Sequence, residues 1–294
     1  MMNGIALTFL ISAVIPGPLQ AQVDATPPGG TLLLPPGEHS GPVVLRRPIH
    51  IKGSGLEHTK LVDDVGTLIV VTGKAGKVTL EGLSMRGPEK LAMGNGGTFL
   101  YGGALRIEAG AEVAAIDVLF KGSRGAQIGG AISVRGTLRG ERVRIEGNYA
   151  LFGGGALDAS DDAIVELVDS TIVGNSSEGP PQIVFNGRTL ILRRVVIRDP
   201  KSAVWPNGRQ LSLYANPKGG PPQVLLDNVT IGVVNTGSSI SITENEDGTP
   251  SVTLIDTEWP RDAQAPEGWK PIIAGPKATP KEPGPPARAE PMRP

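Results

Sequence analysis

The sequence predicts an all-β protein, a single-stranded right-handed parallel β-helix (a solenoid) of about eight repeats. Two observations predict this fold: an apolar frame of eight residues that recurs along the chain, and a Gly-Gly-Ala motif that recurs between the frames. The composition agrees, since Gly (41) and Pro (27) are frequent and Cys is absent. Such a composition is typical of many short strands that are joined by tight turns.

The frame has apolar residues at most of its first, third, sixth and eighth places, and its seven regular copies begin 35, 25, 27, 25, 34 and 28 residues apart. Apolar residues at every second place indicate a strand with one buried face. The third and sixth places are an odd number of residues apart, so both can face the core only if the chain bends between them. We therefore expect two short strands that meet at a corner in each repeat. The copies are VVLRRPIHI (Val43–Ile51, less regular), VTLEGLSM (Val78–Met85), VAAIDVLF (Val113–Phe120), LRGERVRI (Leu138–Ile145), VELVDSTI (Val165–Ile172), LILRRVVI (Leu190–Ile197), VLLDNVTI (Val224–Ile231) and VTLIDTEW (Val252–Trp259).

The glycine motif occurs as GGALRI (Gly102–Ile107), GGAISV (Gly129–Val134) and GGALDA (Gly154–Ala159). Glycine accepts positive φ, so the chain can turn sharply into the next strand, and the alanine fits where the interior narrows. Counting from the preceding IVGN segment, we expect Ile183 to take the alanine place in the following repeat, where prolines replace the glycines.

The fifth place of the frame lies outside the expected core and carries mainly charged residues. If the repeats stack in register, acid and base alternate up one outer face, and each pair contributes about 0.2–1 kcal/mol. We interpret this column as a structural feature and not as a binding site. Its members are Gly82, Asp117, Arg142, Asp169, Arg194, Asn228 and Asp256.

The two ends of the chain predict its domain organisation: an export signal over 1–21, the β-helix domain over 22–274 and a disordered, Pro-rich tail over 275–294. The apolar run Ile5–Ile15 precedes a Pro-Gly-Pro break and small residues near Ala21, and it is shorter than the roughly 20 residues of a membrane span. The alternative is a buried N-terminal helix that caps the fold. We expect the mature chain to carry no transmembrane segment and to be periplasmic, attached to the outer surface or secreted.

Charge and cysteine content exclude several function classes. Lys plus Arg (28) nearly cancels Asp plus Glu (29), so no global field favours nucleic acid. The absence of cysteine excludes disulfides, thiol nucleophiles and thiolate metal sites.

Two stretches resemble known β-helix families. IEGNYALFGGGAL (Ile145–Leu157), with the GGA[IL] and FxxN motifs between Tyr101 and Asn175, resembles the repeats of polymorphic outer-membrane-protein autotransporters, although FKGS (Phe120–Ser123) departs from the second motif. We expect no counterpart of that family's C-terminal translocator barrel in the residues that follow Trp259 here. TLLLPPGEHSGPVVLRRPIHIKGSG (Thr31–Gly55), followed by VTLEGLSMRG, resembles the carbohydrate-binding and sugar-hydrolase β-helix group, which includes pectin methylesterases and a periplasmic copper-site maturation protein. The second resemblance implies a pectin lyase-like fold that acts on or near polysaccharide.

Candidate catalytic carboxylates occur in the acid pair Asp161 and Asp162, within the segment Asp158–Ala163. Paired carboxylates serve acid/base chemistry or bind calcium through their oxygens. Turns also favour Asp without any ligand, so both interpretations stay open. The GHG and NTD signatures of polygalacturonases and the GRPW-type motif of pectin methylesterases are absent from the sequence.

Further candidates are histidines and aromatic residues. His39, His50 and His58 lie near the first repeats and are candidates for a metal site, because imidazole is a common ligand, but their spacing matches no ligand motif. Trp205 and Tyr214 lie in an insertion and offer flat apolar faces for sugar rings; the alternative is that they cover the side of the rod. Trp259 and Trp269 are predicted to pack at the C-terminal end.

These observations favour an exported, non-catalytic scaffold of the surface or envelope that binds polysaccharide or another cell-envelope component. The alternative is a polysaccharide lyase or glycoside hydrolase with an unrecognised carboxylate site. A weaker alternative is a periplasmic accessory protein of a metal site, which would use the early histidines. No cofactor is expected, calcium is possible, and nucleic acid is not an expected partner.

Overall fold

The computed structural model describes residues 18–91, 99–178, 182–200, 209–215, 220–232, 238–244 and 248–275. Within these ranges the chain forms one short helix and many short strands. The helix and strands are α1 (Leu19–Ala25), β1 (Thr31–Leu33), β2 (Gly37–Ser40), β3 (Val43–Leu45), β4 (Ile49–Lys52), β5 (Thr59–Val62), β6 (Ile69–Val71), β7 (Lys77–Arg86), β8 (Leu105–Ile107), β9 (Glu112–Lys121), β10 (Ala126–Ile128), β11 (Ile132–Val134), β12 (Thr137–Glu141), β13 (Arg144–Glu146), β14 (Tyr149–Gly153), β15 (Leu157–Ala159), β16 (Ile164–Val168), β17 (Thr171–Val173), β18 (Ser176–Ser177), β19 (Ile183–Phe185), β20 (Thr189–Arg193), β21 (Val196–Arg198), β22 (Leu211–Tyr214), β23 (Gln223–Asp227), β24 (Thr230–Ile231), β25 (Ile240–Thr243), β26 (Ser251–Ile255) and β27 (Ile272–Ile273).

The strands pair in parallel throughout the described residues. The first row runs β1-β4-β7-β9-β12-β16-β20-β23-β26-β27, and the second runs β2-β5-β7-β9-β13-β17-β21-β24. The third runs β3-β6-β8-β11-β15-β19-β22-β25, and a short fourth row is β10-β14-β18. The chain visits the rows in the same order again and again, which is compatible with a solenoid. The all-β prediction with parallel sheets is confirmed.

In the sequence frames between Val78 and Ile231, the first half forms a first-row strand and the second half forms a second-row strand. The apolar residues of the frames form the core. In β9, Val113, Ala115, Val118 and Phe120 have no exposed surface. The core is continuous from α1 to β26, because no repeat alone has enough apolar surface to bury. Stacking is therefore the source of the hydrophobic stabilisation.

The predicted bend inside the frame is made by the fifth residue, which adopts a left-handed conformation in every regular copy. The φ values are 61° at Gly82, 50° at Asp117, 53° at Arg142, 50° at Asp169, 50° at Arg194, 52° at Asn228 and 45° at Asp256. Gly, Asn and Asp tolerate this region more readily than other residues do.

The two arginines of this column are held by carboxylates one repeat earlier. Arg142 donates from Nε and Nη2 to Asp117 Oδ1 and Oδ2 at 2.6 and 2.9 Å, and Arg194 binds Asp169 in the same way at 2.5 and 2.8 Å. The arginine hydrogen bond lowers the pKa of each aspartate. The predicted alternation of acid and base therefore exists for these two pairs.

The glycine pairs serve two different needs. Gly154 has φ +52°, and a Cβ there would lie 2.2 Å from the Leu157 carbonyl oxygen. A Cβ on Gly130, the second glycine of its motif, would lie 2.2 Å from the carbonyl oxygen of Gly155 in the next repeat. The first glycine thus permits the turn, and the second permits close stacking of successive repeats.

The asparagine of the FxxN motif belongs to a buried amide column, which we define as Asn148, Asn175, Gln182 and Gln210. Each side-chain NH₂ group donates to the next amide oxygen: Asn148 to Asn175 at 2.9 Å, Asn175 to Gln182 at 2.9 Å and Gln182 to Gln210 at 2.6 Å. The Gln210 amide donates to the Gly232 carbonyl at 2.9 Å. Because β19 pairs Ile183 with Leu157, Gln182 and not Ile183 takes the alanine place, so that sequence assignment was wrong by one residue.

The ends of the stack are covered by short segments. Leu19 and Val23 of α1 are buried in the core, so the predicted boundary after Ala21 falls within this helix. At the other end, the Trp259 and Trp269 rings lie 5.4 Å apart and pack against the core. Residues 1–17 and 276–294, which contain most of the predicted signal and tail, lie outside the described residues.

We predict that Asn175→Ala destabilises the protein by about 3 kcal/mol, because it leaves neighbouring buried amide groups without partners. Thermal or denaturant unfolding measures this change. The matched control is Asn186→Ala, because the Asn186 side chain is partly exposed and has no hydrogen bond with described residues; its cost should stay within about 0.5 kcal/mol. Equal effects of the two substitutions would contradict a structural role for the column.

Candidate functional site

The third row carries a column of polar residues on its outer side. Arg106, Ser133 and Asp158 occupy equivalent places on β8, β11 and β15, so neighbouring members are about 4.8 Å apart along the stack. Their sequence neighbours on these strands point into the core, because side chains alternate between the two faces of a strand. The in-register stacking therefore brings a base, a hydroxyl group and an acid together from segments that are about 25 residues apart in sequence.

Tyr101 lies beside this column and contacts two arginines. It pairs with Ile128 of β10 just before the glycine pair of its repeat. The Arg106 and Arg135 guanidinium carbons lie 5.9 and 5.3 Å from the centre of the Tyr101 ring. These distances are within the range of cation–π attraction, so the ring helps to position both arginines.

Two exposed phenylalanines flank these residues: Phe99 precedes Tyr101 by two places, and Phe152 precedes Gly153, at which a Cβ would lie 3.7 Å from Asp158 Oδ2. The Phe99 and Phe152 rings meet edge to face, with centroids 5.6 Å apart and planes at 77°. Their exposures are 49% and 52%, whereas Phe120 and Phe185 are fully buried. We call the surface formed by Phe99, Tyr101, Arg106, Arg135, Phe152 and Asp158, with the buried Ser133 between Arg106 and Asp158, the aromatic face.

Asp158 is the carboxylic acid of the aromatic face, and its pKa is raised. Its carboxylate has no hydrogen bond with any described residue, and burial raises its pKa to about 6, although the nearby Arg135 charge opposes this rise. Desolvation disfavours the charged form of a carboxyl group. Asp158 therefore loses its proton near pH 6, above the usual range of an aspartate.

Of the two predicted catalytic acids, only Asp161 contacts this surface. Asp161 follows β15 in a turn with φ +58°, and its Oδ2 lies 3.6 Å from Arg135 Nε. Asp162 is exposed and forms no ion pair within the described part of the chain. The structure thus places the Asp158–Ala163 segment next to the aromatic face, with Asp158 and Asp161 as the acids that share Arg135.

The three predicted metal ligands have different surroundings. His50 Nε2 lies 2.8 Å from Glu81 Oε2, and Lys52 Nζ lies 2.6 Å from the other oxygen of the same carboxylate. His39 Nε2 contacts the Pro35 carbonyl at 3.0 Å, and His58 is exposed. The residues that the structure describes contain no group of three or more His, Cys, Asp or Glu side chains that fits a metal ion.

Of the two predicted aromatic binders, Tyr214 lies apart from the aromatic face. Tyr214 is partly buried at the end of β22, two strands beyond β15 in the third row. Trp205 lies outside the described residues. The missed residues carry a sequence signal, however: Tyr101 and Phe152 each stand immediately before a run of glycines that opens a third-row strand.

Comparison with protein-family models and with curated proteins finds no match to this chain. No helix among the described residues is long and apolar enough to cross a membrane.

We predict that Asp158→Asn stabilises the protein at about pH 7.5 by on the order of 1 kcal/mol and has little effect at about pH 3, below both pKa values. Because the folded-state pKa is raised, the folded protein binds more protons than the unfolded chain between about pH 4 and 6. The stability that Asp158 contributes below this window is lost as the pH rises through about 6. Melting temperatures of both proteins across this range measure the effect.

The matched control is Asp162→Asn, because Asp162 is exposed in the same turn; it should change the melting temperature little at either pH. A difference between wild type and Asp158→Asn that does not vary with pH would contradict a raised pKa at Asp158.

Proposed function

We propose that this chain is an exported, non-catalytic right-handed parallel β-helix of about eight repeats, a surface or envelope scaffold that binds polysaccharide through the aromatic face. The parallel rows support the β-helix, and the strong preference of parallel crossover connections for the right hand supports its handedness. The proposed location is the periplasm, the outer surface or the medium.

The exposed pair of Phe99 and Phe152 is the observation that carries the proposal. Aromatic residues make up only 4% of the chain, and the described phenylalanines elsewhere are buried. Leaving two adjacent rings about half exposed forgoes about half of the roughly 1.5–3 kcal/mol that full burial contributes per side chain. A flat apolar surface of this kind suits the apolar face of a sugar ring, as it does other amphipathic ligands.

The polar residues of the aromatic face provide hydrogen-bonding groups that suit the hydroxyl groups of a sugar. Arg106 and Arg135 are only loosely paired, since their nearest carboxylate contacts are 3.4 Å (Glu108) and 3.6 Å (Asp161). Guanidinium groups and a carboxyl group present several donors and acceptors to hydroxyl groups. Small-molecule sites commonly combine such apolar surfaces with a few polar groups that fix orientation.

A second candidate function, a glycoside hydrolase or polysaccharide lyase, is favoured by the raised pKa of Asp158. Glycosidases use one protonated and one ionised carboxyl group, and Asp158 and Asp161 would take these roles on either side of Arg135. In this case turnover should fall as the pH rises through about 6, because the acid must be protonated.

The test is incubation of the purified protein with a panel of acidic and neutral polysaccharides, with and without calcium. Bound protein, new reducing ends and unsaturated products are recorded together. We predict binding without turnover to at least one member, and a loss of at least about ten-fold in affinity in the variant Phe99→Ala/Phe152→Ala, because both stacking surfaces are removed.

The matched control is Leu33→Ala/Val65→Ala, since these apolar side chains are also exposed, at 48% and 79%, but lie elsewhere. Turnover that is abolished by Asp158→Asn would show that the protein is an enzyme and would contradict the non-catalytic scaffold. Absence of both binding and turnover across the panel, or equal loss of binding in the control variant, would contradict the proposed function.

A further inference from the structure

A groove crosses the second row of strands, away from the third-row strands of the aromatic face. It has a volume of about 650 Å³ and extends from β2 across β5, β7 and β9 to β13. This volume lies in the range of ligand sites in proteins, which is about 300–1,000 Å³. The loop that precedes β5 and the segment that follows β9 border it.

The floor of this second-row groove is partly apolar although its residues point outward. Leu119 stands in register between Ser84 of β7 and Arg144 of β13, on the side opposite to the core residue Phe120. Leu119 and Val62 are nevertheless only 5% and 7% exposed. The longer side chains around them therefore form walls, and the groove is a concave site rather than a flat sheet face.

Charge is segregated along the length of the groove. Glu38 and Glu57 lie at the β2 end and form no ion pair with any described residue. Lys121 and Arg124 lie at the β9 end and are likewise without an ion pair in the described ranges. One end is therefore negative and the other is positive, although the whole chain is nearly neutral.

The charges between the two ends are largely balanced. Arg86 Nη1 lies 2.5 Å from Glu89 and 3.0 Å from Asp64, and Lys60 stands in register beside Glu38. Arg144 at the far end is bound by Glu146 at 2.7 Å. The charges of Lys60, Arg86, Asp64 and Glu89 sum to zero. Glu38 and Glu57 therefore set the sign of the β2 end, and Lys121 and Arg124 set that of the β9 end, where Glu146 stands in register beside Lys121.

The distance between the charged ends matches an extended polypeptide. From β2 to β9 there are three strand spacings, or about 14 Å. An extended chain advances about 3.3–3.4 Å per residue, so side chains about four residues apart span this distance. Residues i and i+4 of an extended strand also point to the same side. A simple polysaccharide, in contrast, carries no cation for the negative end.

We propose that the second-row groove binds an extended polypeptide segment of a partner protein. The segment presents a Lys or Arg side chain to Glu38 and Glu57, and an Asp or Glu side chain to Lys121 and Arg124. The residues between them pass over β5 and β7, where Val62 and Ser84 point outward. This site is separate from the aromatic face and does not depend on the proposed binding of polysaccharide.

Fluorescence anisotropy with labelled seven-residue peptides tests this assignment. The peptides carry Lys and Glu four residues apart in both chain directions, or two Lys, two Glu or neither, on a Ser/Ala background. We expect one direction of the Lys/Glu peptide to bind at least about ten-fold more tightly than the peptides with two like charges, and the preference to weaken as salt screens it.

Charge variants of the protein test the same assignment more directly. Glu38→Gln/Glu57→Gln and Lys121→Gln/Arg124→Gln should each reduce the preference, and the charge exchange Glu38→Lys/Glu57→Lys/Lys121→Glu/Arg124→Glu should favour the opposite chain direction. The control is Lys74→Gln/Lys77→Gln, because both lysines are exposed outside the groove; it should leave the preference unchanged. Circular dichroism verifies that each variant is folded.

Equal affinity for all peptides, binding of none of them at millimolar concentration, or a preference that survives the charge exchange would overturn the proposal. An acidic polysaccharide whose binding is lost in Lys121→Gln/Arg124→Gln and kept in Phe99→Ala/Phe152→Ala would also overturn it, because the groove would then be a glycan site. Failure of polysaccharide to bind the aromatic face leaves the peptide result unaffected.

Discussion

In-register stacking of parallel strands is the constraint on which the rest of this structure depends. Each repeat contributes only a few apolar side chains, as Val113, Ala115, Val118 and Phe120 illustrate, and these are protected from water only when repeats lie above and below. Close stacking in turn excludes a Cβ at Gly130. It also aligns the buried amides of the amide column, whose hydrogen bonds satisfy groups that would otherwise be costly to bury.

The same register creates the surfaces on which function depends. Arg106, Ser133 and Asp158 are distant in sequence and become neighbours only because β8, β11 and β15 pair without a shift. A slip of one residue would turn each of these side chains to the opposite face. The aromatic face and the second-row groove therefore share one structural origin, and they differ in chemistry because different rows of strands carry them.

Much of the fold could be predicted from the sequence, because the period of the apolar frame reports directly on burial. The frame predicted that each repeat has two strands with a bend between them. It did not predict that the bend residue, for example Arg142, adopts a left-handed backbone conformation. Ile183 lies one residue past the alanine place that we predicted for it, because prolines replace the glycines before it and Gln182, whose amide joins the column, takes that place. The site was harder to predict: Asp161 was found as half of an acid pair, whereas Asp158 depends on burial and on Arg135 from another repeat.

Hydrogen exchange of the side-chain amides, followed by NMR, tests the stacked register most directly. The NH₂ protons of Asn148, Asn175 and Gln182 are buried and donate within the column. They should exchange as slowly as the backbone amides of the core strands, because only opening of the stack exposes them. Exchange at the rate of free amides, with the core strands still protected, would contradict an ordered column and the register that it implies.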